Sequence, residues 1–246
     1  MQTLRAPALI FLFIMASYPN ISEAVFESRP NRFIAYVRLD GERVKCHVKN
    51  TGRCRELLVP GCRAFVCRSD NPNRSTAYDL VAVMKGDRLI NMDSQIPNEV
   101  AAEGLRSIPE FGDVTEIRRE YTYGDSRVDI MAEAPGHRYL VEVKGVTLER
   151  DGVVLFPDAP TERGTKHLHN LIRSIGDGWE PYVLFVIQMD DVRYFTPNAE
   201  TDPVFAEALI EARDAGVGIL AYTCDVRPDS MVLKSAVCTV LSADIR

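Results

Sequence analysis

No CxxC pair occurs in this chain, and no two histidines stand at zinc-finger spacing, although six cysteines are present: Cys46, Cys54, Cys62, Cys67, Cys224 and Cys238. Zinc fingers and zinc ribbons are therefore set aside. Cys54 with Cys62, or Cys62 with Cys67, would be the remaining zinc pairs, and their spacing lies outside the ligand rules; buried free thiols are the expectation. No apolar run reaches the ~20 residues that a membrane-spanning helix needs. No repeat at a solenoid period and no low-complexity segment appears, which removes repeat, fibrous and disordered architectures. What is present is an ordinary globular composition, 46% hydrophobic and 26% charged over 246 residues. That is enough for one large domain or two small ones of ~100–150 residues.

Charge is divided unevenly. Residues 25–92 carry 13 Lys and Arg against 7 Asp and Glu, whereas residues 93–246 carry 15 against 27. A basic front and an acidic back suit a polyanion-binding module joined to a cation-binding one. Two merely soluble surfaces would give the same count. At the N-terminus, residues 8–16 form an apolar run behind Arg5, and Ser22-Glu23-Ala24 has the look of a cleavage site, a signal-peptide outline.

The local patterns change near Asp93. Before it, strands are expected at 33–39, 43–48, 63–68, 78–84 and 89–92, with Asp40-Gly41 as a hairpin turn. Five short strands in so small a span suggest a closed barrel of the OB type, an open sheet being the alternative. After it, a helix is expected at 94–108 and strands at 114–123, 127–132, 138–146, 152–156, 182–187 and 217–222. Helices are expected at 161–175 and 202–215, each stopped by glycine. This reads as an α/β layered domain around a mixed sheet. The expected units are an N-terminal extension, 1–24, an OB-like nucleic-acid-binding domain, 25–92, and a second domain, 93–246.

Chemistry concentrates on Asp129 and on Glu142-Val143-Lys144. Side chains alternate across a strand, so Glu142 and Lys144 share a face, and they interrupt the apolar run Tyr139, Leu140, Val141, Val143. Charges in such a strand need partners. A divalent cation, Mg²⁺ or Mn²⁺, between Asp129 and Glu142 supplies one, and Lys144 then serves a water or the developing charge of a phosphodiester. A solvated strand face with a weak ion pair is the plainer reading. Asp125 is most simply a turn residue, and Glu120 is undecided. The loop from Phe156 to His167 enters a helix whose N-terminal N–H groups suit phosphate, with Arg163 and Lys166 adding charge. His167 and His169 lie on opposite helix faces and make a poor chelate. Gln188 reaches either the same pocket or backbone groups. Two basic loops in the front domain carry Arg29, Arg32, Lys49 and Arg53, with Phe33, Tyr36 and Phe65 as stacking or core aromatics.

The strings RPNRFIAYVRLDG, HVKNTGRCRELLVPG, SDNPNRSTAYDL, GDRLINMDSQIPN, YGDSRVDI, EVKGVTLE, FPDAPTERGTKHL and YFTPN resemble the sugar fermentation stimulation protein (SfsA) family over about residues 25–240. The resemblance implies an N-terminal OB-like domain and a C-terminal domain similar to PD-(D/E)xK nucleases. Asp129 then matches the first acidic position, Glu142 and Lys144 the (D/E)xK pair, and Lys166 a further polar position on the following helix. Val128 stands where that pattern usually has proline. The family is regarded as DNA-binding, with a regulatory link to maltose and sugar metabolism. The expected protein is thus a cytoplasmic nucleic-acid binder, DNA before RNA, with no membrane association and a metal-dependent phosphodiesterase site; the alternative is a non-catalytic DNA-binding regulator. The resemblance also places the natural start at Met15, which would make residues 1–14 a gene-model extension and remove the signal outline.

Overall fold

The computed structural model describes residues 16–50 and 52–241. Residues 8–15 of the signal-like run and the start at Met15 lie outside the described residues, whereas Ala16 and the cleavage-like Ser22-Glu23-Ala24 are described and lie in strands.

After a short β1 (Ala16–Ser17), six strands build the front sheet: β2 (Ile21–Asn31), β3 (Ile34–Leu39), β4 (Glu42–Val48), β5 (Arg63–Arg68), β6 (Tyr78–Lys85) and β7 (Arg88–Asn91). Their order is β4-β3-β2-β5-β6-β7. Parallel pairing of β4 with β6, from Cys46↔Tyr78 to Val48↔Leu80, closes five of them into a barrel. The β3–β4 turn has positive φ at both Asp40 (51°) and Gly41 (85°). Such a turn matches the twist of its flanking strands, so the Asp-Gly pair sets the hairpin register. Ala35, Val37, Leu80 and Val83 lie in the barrel core together with Phe26.

The fifth barrel strand is β2 and not 89–92, which is appended outside as β7. Register shifts at Phe26/Ser28 and Ser28/Asn31 break the two-residue period of β2, and this bulging hides it from a pattern reading. Residues 16–24 are accordingly no extension. Ile21 to Val25 pair with β5, and Ala16–Ser17 pair with the last strand of the second sheet.

The back half contains α1 (Ile96–Gly104), β8 (Glu116–Tyr123), β9 (Ser126–Ala134), β10 (His137–Val146), β11 (Leu148–Arg150), β12 (Val153–Phe156), α2 (Glu162–Ile175), β13 (Glu180–Ile187), β14 (Tyr194–Pro197), α3 (Pro203–Ala215), β15 (Gly218–Arg227) and β16 (Ser230–Ala236). The main sheet runs β1-β16-β15-β13-β10-β9-β8, with β10, β13 and β15 parallel and the rest antiparallel. It is a mixed sheet sandwiched between α1 on one face and α2 with α3 on the other. The helix expected at 94–108 ends at Gly104 and continues as two single 3₁₀ turns. A Cβ at Gly104 would lie 2.9 Å from Leu233, so glycine lets the helix end press against β16, and Pro109 then prevents continuation.

The two halves are joined by polar contacts. Glu149 takes ion pairs from Lys85 (2.6 Å) and Arg88 (2.9 Å). The Gln188 carboxamide donates to the Asn91 and Asp93 carbonyls at 3.1 and 3.0 Å. Among the described residues no helix is long and apolar enough to cross a membrane. All six cysteines are free thiols; Cys46, Cys54, Cys67 and Cys224 are buried as expected, Cys62 is half-buried and Cys238 is exposed. Burial pushes the Cys46 and Cys54 thiols up to about 12, which keeps them protonated and poorly reactive.

Candidate metal and nucleic-acid site

The site sits where β9 and β10 part. Their antiparallel ladder ends at Val141↔Ile130. One residue further, the Asp129 carboxylate stands in for the missing strand partner: Oδ2 accepts the Val143 N–H at 2.8 Å. Oδ1 accepts from Asn98 Nδ2 of α1, also at 2.8 Å. Glu142 lies on β10 facing α2 and is only 2% exposed. Lys144 Nζ donates to Glu142 Oε1 at 2.5 Å. Lys144 and Glu142 are thus in direct contact, and Asp129 is anchored on the neighbouring strand by the Val143 N–H between them.

The two carboxylates are held differently. Burial, and then the charge of Glu142, push the Asp129 carboxyl above its usual range in spite of Lys144 and its two hydrogen bonds. Burial also pushes Glu142 up, but the His167 hydrogen bond and the Lys144 charge outweigh it and hold that carboxyl below its usual range.

A fourth member is His167 of α2. Its Nδ1 contacts Glu142 Oε1, and Arg163 Nε donates to its Nε2 at 3.3 Å. Lys166, expected in the site, is not there. It projects to the outer side of α2, 62% exposed and 3.9 Å from Asp125. Adjacent helix positions are about 100° apart, so only one of Lys166 and His167 can face the sheet. Asp125 and Glu120 also stay outside, the first at the exposed turn and the second 3.3 Å from Arg127. Gln188 serves the junction between the halves, satisfying backbone carbonyls.

The basic loops divide similarly. Arg29 is a loop organiser: its guanidinium donates to the carbonyls of Arg32, Asn50, Gly52 and Arg53 at 2.6–3.0 Å. Lys49 is neutralised by Asp93 (3.2 Å) and Asp79 (3.4 Å). Neither is available to phosphate, because buried polar groups of the fold claim them first. Arg32 and Arg53 are exposed, and among the described residues their side chains have no partner. Arg55, which no sequence pattern singles out, is in the same condition. These three border a depression of about 540 Å³. Beside it Phe33 is 55% exposed, whereas Phe65 is buried and Tyr36 lies beneath the Arg43 guanidinium. The loop itself is anchored to the back half, where Arg53 N–H donates to Asp158 Oδ2 at 2.8 Å. A Cβ at Gly52 would sit 2.3 Å from that same oxygen, so glycine is required for the approach.

Two family models match this architecture: the SfsA N-terminal OB domain at residues 28–92 and the sugar fermentation stimulation protein RE domain at residues 95–230. The chain belongs to the SfsA family. The sugar fermentation stimulation protein homolog of Desulfitobacterium hafniense strain Y51 is 55% identical over 214 residues, covering 87% of this chain and 93% of that one. The Clostridium beijerinckii homolog is 50% identical over 224 residues, covering 91% and 99%. The solved structure of Pyrococcus furiosus SfsA, in complex with Ca²⁺, superposes with a TM-score of 0.83 at 25% identity and covers 92% of this chain and 98% of its own. The SfsA-family fold, an OB barrel followed by a nuclease-like mixed-sheet domain, is therefore the fold of this chain.

Proposed function

We propose that this SfsA-family protein is a divalent-metal-dependent phosphodiesterase acting on nucleic acid, DNA before RNA. The observation that carries the reading is the convergence of Asp129, Glu142 and Lys144 at the end of the β9–β10 ladder. The residues fit a hard cation. Glu142 is buried and Asp129 half-buried, and burial, followed by the charge of Glu142, raises the Asp129 carboxyl, a condition that a bound cation would relieve. Among the described residues no group of three or more His, Cys, Asp or Glu is arranged as a metal cage. A cation held here would therefore be one such as Mg²⁺ or Mn²⁺, which keep several waters and are held through one or two carboxylates. Ca²⁺ in the Pyrococcus furiosus relative supports the same class of ion.

Asp129 and Glu142 would hold the cation. When bound, it supplies Lewis-acid polarisation of a phosphodiester oxygen and acidifies water. Lys144, already at the carboxylate, orients the attacking water and meets developing negative charge. Arg163 at the start of α2 holds the phosphate together with the helix N-terminal N–H groups. Arg32, Arg53 and Arg55 track the rest of the polymer, and Phe33 offers a stacking surface.

A second reading, a non-catalytic nucleic-acid-binding regulator, is favoured by one feature: Lys144 and His167 already compensate Glu142 without any ion. Its link to sugar metabolism rests on the relatives' name. A cleavage assay on single- and double-stranded DNA and RNA with Mg²⁺ or Mn²⁺ separates the two. The nuclease reading expects metal-dependent products that fall by ~10²–10³-fold in Lys144→Ala with binding retained. Binding without products under every metal leaves the regulator.

A further inference from the structure

Glu142 is almost wholly buried, yet its two oxygens are treated unequally. Lys144 Nζ and His167 Nδ1 both converge on Oε1. Among the described residues no donor reaches Oε2. Nor is Oε2 one of the sealed, unsatisfied side-chain atoms, which are Arg29 Nε, His47 Nδ1 and Asn198 Oδ1. It is thus the one unpartnered lone-pair site on a buried carboxylate, and it keeps access to solvent. We propose that His167 is a positioning residue: by gripping Oε1 it turns Oε2 outward as the oxygen that receives the cation. This rests on the metal-site reading above and deepens it.

The surroundings make the grip rigid. The Thr161 side chain caps α2, accepting the Gly164 N–H at 3.1 Å. A Cβ at Gly164 would meet Thr161 at 2.8 Å and Phe205 of α3 at 3.2 Å, so the first turn of α2 is pinned between its own cap and its neighbour. Leu168 and Leu171 are buried against the sheet. His167 has little freedom to leave Glu142. The Arg163 N–H at Nε2 makes that nitrogen an acceptor, which places the imidazole proton on Nδ1, where it faces the carboxylate. Arg163 therefore selects the tautomer that holds Glu142. Its remaining guanidinium nitrogens have no partner among the described residues, so the phosphate contact and the metal ligand form one linked unit. The same logic governs metal-binding histidines and carboxylates elsewhere, whose outer hydrogen bonds set ligand orientation.

The test is a calorimetric Mn²⁺ titration of the full chain and of His167→Ala, His167→Asn and His167→Gln, with circular dichroism confirming the fold of each. An Asn amide nitrogen falls where Nδ1 stands, whereas a Gln amide nitrogen falls nearer Nε2. Positioning by Nδ1–H predicts one ion per chain in the wild type, an affinity lower by ~10–100-fold in His167→Ala and His167→Gln, and near-wild-type affinity in His167→Asn. Imidazole nitrogen NMR shifts of the wild type should show the Nδ1–H tautomer, and Arg163→Ala should erode it. Equal affinity in His167→Ala and wild type, or Asn and Gln behaving alike, overturns the proposal while leaving the metal site standing. A wild type that takes up no ion overturns both.

Discussion

The barrel loops and the β9–β10 fork both carry charge, but they keep it in opposite conditions. On the barrel, Arg32, Arg53 and Arg55 are exposed and unpaired among the described residues, and the loop beneath them is organised by a different arginine, Arg29. At the fork the Asp129 carboxylate and Glu142 Oε1 are gripped by donors of the fold, and Glu142 is only 2% exposed. Exposed cations bind a polyanion reversibly and with steep salt dependence. Buried, oriented groups instead present fixed charge to whatever enters, in surroundings where each interaction is stronger. The proposed function thus assigns holding the polymer and acting on it to separate regions of the molecule.

Three variants sharpen that contrast. Glu142→Gln leaves the half-buried Lys144 with Asp129 as its remaining nearby counter-charge, and losing the buried carboxylate of such a pair costs about 1–3 kcal/mol. Because the Glu142 carboxyl is held below its ordinary value of 4.5, its contribution is present above pH 4.5 and is lost as pH falls through the lowered value. The variant's deficit in denaturant unfolding should therefore be greatest at neutral pH and close in acid. A constant deficit across pH would break the contrast. Next in size, replacing Arg32, Arg53 and Arg55 together with alanine should reduce the slope of log affinity against log salt by about 2–3, one increment per lost phosphate contact. Thermal stability and cleavage of saturating substrate should hold. An unchanged slope would place the polymer elsewhere.

The smallest effect is expected for Asp129→Asn, and its sign is reversed. The Asp129 carboxyl is raised above 3.8, so the ionised form is a burden on the fold at neutral pH. The burden disappears as pH falls through the raised value towards 3.8. The replacement amide keeps an oxygen for the Val143 N–H, and Asn98 can turn its own amide to match. The melting temperature at neutral pH should hold or rise slightly, with the gain vanishing in acid, even though metal uptake is lost. A marked fall in stability would show that the carboxylate is structural.

The legible parts of the sequence are those where a local rule operates alone. Asp40-Gly41 declares a hairpin, Thr161 and Gly176 bound a helix, and Glu142 and Lys144 stand out by interrupting an apolar strand. The illegible parts need tertiary partners. β2 is obscured by its bulges and by Glu23, Glu27 and Arg29 along it, and β14 and β16 carry no strand pattern strong enough to separate from loop. Arg29 and Lys49 look like phosphate ligands because sequence shows charge and not the carbonyls or carboxylates that claim it. Weighed only as half of a chelate with His169, His167 carries little. Its spacing with Gly164, Leu168 and Leu171 places it on the buried stripe of α2, and a polar residue on such a stripe facing a charged strand is the available signal. Lys166, one position away, has the more familiar chemistry and faces solvent.

The central claim is that Asp129 and Glu142 share one divalent cation at the fork. A crystal of the full chain soaked with Mn²⁺ and measured for anomalous scattering tests it most directly. One peak is predicted, touching an oxygen of each carboxylate at about 2.0–2.3 Å with waters completing the shell. A crystal with Mn²⁺ bound elsewhere, or with Lys144 and His167 still filling an ion-free fork at saturating Mn²⁺, would contradict it.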